Sequence, residues 1–173
     1  MIVFIGESGS GKTTMEKELE KRGFKRTISY TTRKPRAHEV DGVHYHFVDE
    51  ETFLALLASD FFAEVGVYNG NYYGTALEDC TDDKVAVVEP QGLFQLKDNP
   101  KLNVTAIYLK AKPETRFYRM MCENRSLSAI LERLMNDYKT FEDIEKEVDF
   151  IVESEGFILD IVSKVLEVIN ERA

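Results

Sequence analysis

The chain has 173 residues, of which 43% are hydrophobic and 31% are charged, and its formal net charge is −9 at pH 7. These values predict one globular domain. They argue against a nucleic-acid partner, because phosphate backbones are bound by basic surfaces. No apolar run reaches the roughly 18 residues that a membrane span needs. Cys80 and Cys122 lack metal-ligand spacing, and we expect no signal peptide, because the first predicted strand starts at residue 2. We therefore expect a cytoplasmic protein with reduced thiols, either a monomer or a small homo-oligomer.

A phosphate-binding loop is predicted at the start of the chain. The apolar, β-branched run at residues 2–5 predicts a buried strand, and residues 6–13 match the pattern G-x-x-x-x-G-K-[ST]. Its glycines allow the backbone to approach a polyphosphate, and a helix starting at about Lys12 points its positive end at the same phosphates. In this pattern Lys12 contacts the β- and γ-phosphates, and the Thr13 hydroxyl binds Mg²⁺. The segment therefore predicts a site for a nucleoside triphosphate.

Three cations then surround a proline in the sequence Arg33-Lys34-Pro35-Arg36. Because the proline restricts its own backbone and that of the preceding residue, we expect a stiff, exposed loop. Two interpretations remain open for it. The loop is either a solvated charge cluster or, since arginine binds phosphate with two parallel hydrogen bonds, a second anion site.

The following stretch predicts a small β-rich region. Residues 43–48 alternate between two faces and predict a strand, with His44 and His46 on one face as ordinary strand residues rather than metal ligands. Asp49 is a predicted N-cap for a helix over residues 50–58. The dipeptide Asn69-Gly70 predicts a hairpin within the aromatic-rich residues 61–75.

Glu64 lies among apolar residues in that aromatic-rich stretch. An unpaired carboxylate is costly in such surroundings, so we expect Glu64 to have a partner. A purine that carries N–H donors would suit it.

The remainder of the chain alternates strands with helices and predicts a parallel α/β sheet. Strands are predicted at residues 85–88, 104–109 and 150–152, and a last amphipathic helix at 157–169. Glu89 follows the first of these strands. Ligands bind beyond the carboxyl ends of such strands, so Glu89 either acts on Mg²⁺ or substrate or is simply an acid at a helix N-terminus.

Four arginines occupy the helix that Pro113 opens and the segment after it: Arg116, Arg119, Arg125 and Arg133. They are either helix-surface residues or part of a mobile lid over a transferred phosphoryl group.

Several motifs make the chain resemble the guanylate kinases. The pattern S-x-T-T-R-x-P-R occupies residues 29–36, E-x-x-G-x-x-Y-x-F occupies 39–47, and G-N-Y-Y-G-[ST] occupies 70–75, with Glu64 six residues before Gly70. The resemblance implies a phosphate-loop parallel sheet flanked by helices, with an inserted mixed-β region that binds GMP and a helical lid. The implied boundaries are core 1–28, 77–118 and 135–173, insert 29–76 and lid about 119–134.

The resemblance also implies an activity, phosphorylation of GMP and dGMP by ATP with Mg²⁺, and a set of site residues. The GMP-binding residues would be Ser29, Arg33, Arg36, Tyr45, Glu64, Tyr73, Thr75 and Glu89. The ATP-binding residues would be Gly6, Glu7, Ser8, Gly9, Ser10, Gly11, Lys12, Thr13 and Thr14. The catalytic residues would be Lys12, Arg119, Arg125 and Arg133. The Mg²⁺ ligands would be Thr13 and, as a further candidate, Glu89.

The sequence departs from the family pattern in the half that binds ATP. Val87 replaces the first aspartate of the family's D-x-D-x-Q-G, and Glu89 replaces the second. The lid is shorter, and Glu153-Ser154 replaces an asparagine after the last strand. Two other functions therefore stay open. One is a kinase of this fold with another acceptor, such as another nucleoside monophosphate or a sugar phosphate. The other is a binding module with weak or no catalysis.

Overall fold

A computed structural model describes residues 1–68, 70–123 and 125–171. Five parallel strands form the central sheet in the order β2-β7-β1-β8-β9. They are β1 (Ile2–Ile5), β2 (Lys25–Arg26), β7 (Lys84–Val87), β8 (Thr105–Lys110) and β9 (Phe150–Glu153). The predicted α/β fold is confirmed.

Helices cover both faces of this sheet. They are α1 (Lys12–Glu20), α3 (Pro90–Asp98) and α6 (Ile158–Glu171), whereas α4 (Pro113–Cys122) and α5 (Leu127–Thr140) pack against one another. Alternate residues of β1 point to opposite faces and join different core clusters. Val3 packs in the cluster that contains Leu93 of α3, whereas Phe4 packs in the cluster that contains Leu19 of α1 and Val165 of α6. This two-sided burial explains why β1 is apolar at every position.

A second, mixed sheet has four strands in the order β4-β3-β6-β5. These are β3 (Tyr30–Thr31), β4 (His46–Phe47), β5 (Phe62–Tyr68) and β6 (Asn71–Ala76), with helix α2 (Glu50–Ala58) between β4 and β5. Phe53 of α2 is fully buried, and its ring stacks on Phe62 at 4.6 Å and on Tyr72 at 5.3 Å between centroids. As predicted, Asp49 caps α2 by accepting a hydrogen bond of 2.8 Å from the Thr52 amide.

The predicted strand over residues 43–48 is largely wrong. Only His46 and Phe47 form a strand, because a turn closes just before them, where the Gly42 amide donates to the Tyr45 carbonyl at 2.9 Å. Gly42 adopts a φ of 71°, which favours glycine. His44 does not share a strand face with His46, since its Nδ1 accepts from the Val40 amide at 3.0 Å.

The hairpin between β5 and β6 is present, although Asn69 of the predicted turn dipeptide lies outside the described residues. Two short 3₁₀ helices, Leu77–Asp79 and Ile144–Lys146, complete the described elements. No helix within the described residues has the length and apolar character to cross a membrane.

Candidate active site

The loop between β1 and α1 packs closely against β8 and α4. A Cβ added to Gly6 would lie 2.7 Å from the carbonyl oxygen of Leu109, and one added to Gly9 would lie 2.8 Å from that of Arg116. Both obstacles are backbone atoms, so neither position accepts a side chain. Gly9 also has a φ of 79°. The glycines that were predicted to let a phosphate approach the backbone therefore also allow the loop to pack closely against its neighbours.

Lys12 folds back over this loop. Its Nζ donates to the carbonyl oxygen of Gly6 and, at 3.1 Å, to that of Glu7. Burial lowers the pKa of Lys12, and the charges of Glu89 and Asp137 oppose that shift. These carbonyl groups therefore hold the Lys12 ammonium group beside the loop, where a phosphate oxygen could replace them as its hydrogen-bond acceptor.

A cleft of about 690 Å³ opens beside the loop and α1. It brings together most of the predicted ATP site, namely Ser8, Gly9, Gly11, Lys12, Thr13 and Thr14. It also contains the three predicted catalytic arginines Arg119, Arg125 and Arg133, together with Glu89 and Tyr45. The other three predicted ATP-site residues do not line the cleft, since Gly6 and Ser10 are buried and Glu7 is half-buried.

Glu89 is the N-cap residue of α3, but its side chain makes no capping hydrogen bond to the described residues. The side chain lines the cleft together with Thr13, and burial raises its pKa, while the Lys12 charge opposes the shift. The geometry therefore favours a role in the cleft over a role in capping.

Two of the three predicted catalytic arginines contact the loop directly. Arg119 donates to the carbonyl oxygens of Gly9 at 3.2 Å and Ser10 at 3.1 Å, and Arg133 reaches the Ser8 hydroxyl at 3.5 Å. Arg125 instead pairs with Glu123 at 2.7 Å at an exposed position. The cleft therefore contains all three, but only Arg119 and Arg133 hydrogen-bond to the loop.

The predicted base-binding residues form a cluster of polar side chains at the second sheet. Thr75 donates a hydrogen bond of 2.6 Å to Glu64 Oε1, and the Ser29 and Thr75 hydroxyls are 3.2 Å apart. Burial raises the pKa of Glu64, while the bond from Thr75 opposes the shift. Gly92 of α3 lies close by, since a Cβ there would be 2.9 Å from Glu64 Oε2.

The predicted phosphate-binding residues form a second cluster of polar side chains near that sheet. Arg33 makes two bonds of 2.9 Å to Glu39, and the Arg36 amide donates to the same carboxylate at 2.7 Å. The Arg33 guanidinium lies 5.4 Å from the Tyr45 ring centroid, and the rings of Tyr45 and Tyr73 are 6.0 Å apart. The four predicted phosphate ligands thus cluster around Glu39.

The prediction of an exposed loop here is wrong for Arg33, whose side chain is only 17% exposed. Pairing with Glu39 draws the guanidinium inward, and that guanidinium lowers the pKa of Glu39 to about 2. Arg36 remains exposed, as predicted.

Comparison with known proteins gives one consistent result. A family model described as guanylate kinase matches residues 1–172. The chain belongs to the guanylate kinase family. The guanylate kinase of Schizosaccharomyces pombe is 37% identical over 86% of this chain and 79% of its own length. That of Wolinella succinogenes is 33% identical over 96% of this chain and 84% of its own.

A solved structure of guanylate kinase from Anaplasma phagocytophilum shares the fold. It superposes with a TM-score of 0.78 over 99% of this chain and 85% of that chain, at 21% sequence identity. The likeness extends over both sheets and supports the α/β assignment made above.

The oxygen groups that line the cleft suit Mg²⁺, which binds to few protein ligands, better than a metal ion that needs a complete set of protein ligands. Within residues 1–68, 70–123 and 125–171, no group of three or more His, Cys, Asp or Glu side chains could hold a metal ion. Mg²⁺ in nucleotide sites takes one or two protein oxygens and completes its shell with phosphates and water. Thr13 and Glu89 share the cleft and fit that requirement.

Several polar residues that contact the predicted site residues were not themselves predicted as site residues. Glu39 orders Arg33, and Asp137 accepts from the Ser8 amide at 2.8 Å. Ser154 donates to the Ser10 carbonyl at 2.6 Å. The E-x-x-G-x-x-Y-x-F motif contained the signal for Glu39. The other two contacts join residues more than 100 positions apart, which local pattern does not reveal.

Proposed function

We propose that the chain transfers the γ-phosphoryl group of ATP to GMP, and also to dGMP, and releases ADP with GDP or dGDP. The observation that carries this proposal is the half-buried carboxylate of Glu64, which accepts a hydrogen bond from Thr75 in a chain that also has the phosphate-loop motif. Membership of the guanylate kinase family supports the same reaction.

Glu64 provides the selectivity for guanine. Guanine presents N1–H and an exocyclic amine on one edge, and a carboxylate accepts from both. Adenine has an acceptor at N1, so it would leave Glu64 without the two donors that guanine supplies, which is the kind of mismatch that gives strong discrimination. Ser29 and Thr75 bond to one another beside this carboxylate and complete the base site.

The acceptor phosphate binds at the cluster around Glu39, to Arg33, Arg36, Tyr45 and Tyr73. Glu39 holds the Arg33 guanidinium in place, so less freedom is lost when a phosphate binds there. Tyr45 also lines the cleft beside the loop, so the acceptor phosphate would face the ATP site.

The donor binds in the cleft, with the loop amides and Lys12 on its phosphates. Thr13, with Glu89 as a further ligand, would hold Mg²⁺, which would supply charge neutralisation to the triphosphate. Transfer is in line and needs no covalent intermediate, because positioning and charge stabilisation suffice. Arg119, Arg125 and Arg133 would add positive charge there. We assign the core to residues 1–28, 77–118 and 135–173, the GMP-binding insert to 29–76 and the lid to about 119–134.

An acceptor panel tests the proposal. ADP release from ATP·Mg²⁺ is measured with GMP, dGMP, AMP, UMP and ribose 5-phosphate. We expect turnover with GMP and dGMP and about 10⁴-fold lower kcat/KM with AMP, since the site leaves a buried polar group unpaired. Turnover with another acceptor alone would assign a different substrate, and no turnover with any acceptor would indicate a binding module.

A further inference from the structure

A buried ion pair joins α4 to α5. Arg116 Nη2 lies 2.5 Å from Asp137 Oδ2, and the two residues are only 5% and 9% exposed. They lie on either side of the proposed lid at about 119–134, one before it and one after it. The pair therefore connects the two ends of the segment that carries the catalytic arginines.

The same pair encloses Ser8 of the phosphate loop. Asp137 accepts from the Ser8 amide at 2.8 Å and from the Ser8 hydroxyl at 3.3 Å. Arg116 donates to the Ser8 carbonyl oxygen at 2.9 Å and to the Glu7 carboxylate at 3.2 Å. All three polar groups of Ser8 are thus bonded to one ion pair.

Stability alone does not account for this arrangement. Taking two charges out of water costs about as much as their attraction returns, so an apolar pair of similar volume would stabilise α4 against α5 equally well. An apolar pair could not hold Ser8. The backbone of Arg116 also lies against Gly9, where a Cβ would come within 2.8 Å of the Arg116 carbonyl oxygen. The pair and its helix together support the loop from Glu7 to Gly9.

We propose that Arg116 and Asp137 are positioning residues that set the loop for the triphosphate and couple it to both ends of the lid. The proposal rests on the proposed function, in which the loop binds ATP. It assigns the pair no contact with substrate, because both side chains act through Ser8 and Glu7. It predicts a defect in ATP binding and in turnover but not in GMP binding, since Glu64 and Thr75 belong to the other sheet.

The double variant R116M/D137L tests this coupling. Removing one partner would leave an unpaired buried charge and could unfold the protein, whereas removing both leaves the local net charge unchanged. Binding of ATP·Mg²⁺ and of GMP is measured separately by calorimetry, together with thermal unfolding of the free protein. We expect ATP·Mg²⁺ to bind about tenfold more weakly, since small misplacements in a site cost up to about a hundredfold. We expect the GMP affinity to stay close to wild type.

Two further variants complete the experiment. R116K keeps the charge beside Asp137 but loses the planar fork that reaches Ser8 and Glu7, and we expect a weakening of ATP binding in the same direction. D143N is the matched control, because Asp143 pairs with Lys146 at 2.8 Å on the exposed surface and does not contact the loop. It should bind both nucleotides as wild type does.

Unchanged ATP affinity in R116M/D137L and in R116K would overturn the proposal. An equal loss of ATP and GMP affinity with a lower melting temperature would also overturn it and leave a purely structural pair. The proposed function fails separately, if the wild-type protein does not phosphorylate GMP. The binding measurements need no turnover, so they test the pair in either case.

Discussion

Replacing Glu64 with glutamine changes one atom of the proposed guanine site. Glu64 Oε1 already accepts from Thr75 at 2.6 Å, and its Oε2 lies beside Gly92. Whichever way the glutamine amide turns, one acceptor oxygen becomes an N–H donor. The amide therefore opposes one of the two N–H groups of guanine, and the charge that strengthened the other bond is lost.

The magnitude follows from the bonds that are lost. A hydrogen bond to a charged group contributes about 1.5–3 kcal/mol, which corresponds to about 10- to 150-fold in binding. We expect the Glu64→Gln variant to lose kcat/KM for GMP by at least that factor. Affinity for ATP·Mg²⁺ should be unaffected, because Lys12 and the loop are unaltered.

The same substitution should increase stability at neutral pH. Burial raises the folded-state pKa of Glu64, so its contribution to stability is full below the unfolded-state pKa and is lost as pH rises through the folded-state pKa. Glutamine does not titrate. The unfolding free energy of the variant, relative to wild type, should therefore increase as pH rises from about 4 into the alkaline range.

Steady-state kinetics with GMP and urea unfolding across that pH range measure the two effects. In wild type, kcat/KM for GMP should fall as acid protonates Glu64, and the Gln variant should lack that dependence on this group. A Gln variant with wild-type kcat/KM for GMP would refute the assignment of Glu64 to the base. A lower stability than wild type at pH 8 would refute the argument from burial.

Three other substitutions test separate parts of the site. Lys12→Ala should lower kcat about a hundredfold or more, and calorimetry should show GMP binding nearly intact, whereas an equal loss of both would contradict the division of roles. Gly92→Ala places a Cβ 2.9 Å from Glu64 Oε2, so the GMP Kd should rise about tenfold. Thermal unfolding should show no loss of stability, because alanine favours the helix. An unchanged GMP Kd would count against this position of the Glu64 carboxylate. Glu39→Gln should raise the KM for GMP by releasing Arg33. The folded-state pKa of Glu39 is about 2, so its contribution to stability is full above its unfolded-state pKa and is lost as pH falls through about 2. Urea unfolding should therefore show that acid lowers the unfolding free energy less in the variant than in wild type. An equal decrease in both proteins would contradict the pairing of Glu39 with Arg33.

Local chemistry was enough to predict β1, the start of α1 after the glycine-rich loop, and α2. The loop depends on glycines at fixed spacing, and α2 (Glu50–Ala58) depends on the Asp49 cap, so each signal lies within a few residues of its consequence. The strand predicted at 43–48 was too long because alternation of apolar residues does not report a turn at Gly42.

Contacts between distant segments account for what the sequence could not reveal. Asp137 lies 129 positions from Ser8, and Arg116 lies 108 positions from it. Their convergence depends on how α4 and α5 pack beside the loop, which neither periodicity nor motif encodes. Glu39 is an intermediate case. Its motif marked it, but only the structure shows that it orders Arg33.

The most direct test of the proposed reaction is the stoichiometry of its products. Wild-type protein is incubated with ATP·Mg²⁺ and GMP, and the nucleotides are separated and quantified over time. The account predicts that ADP and GDP accumulate in equal amounts and that omitting GMP stops ADP formation. ADP formed without GDP, or no ADP with GMP present, would contradict it.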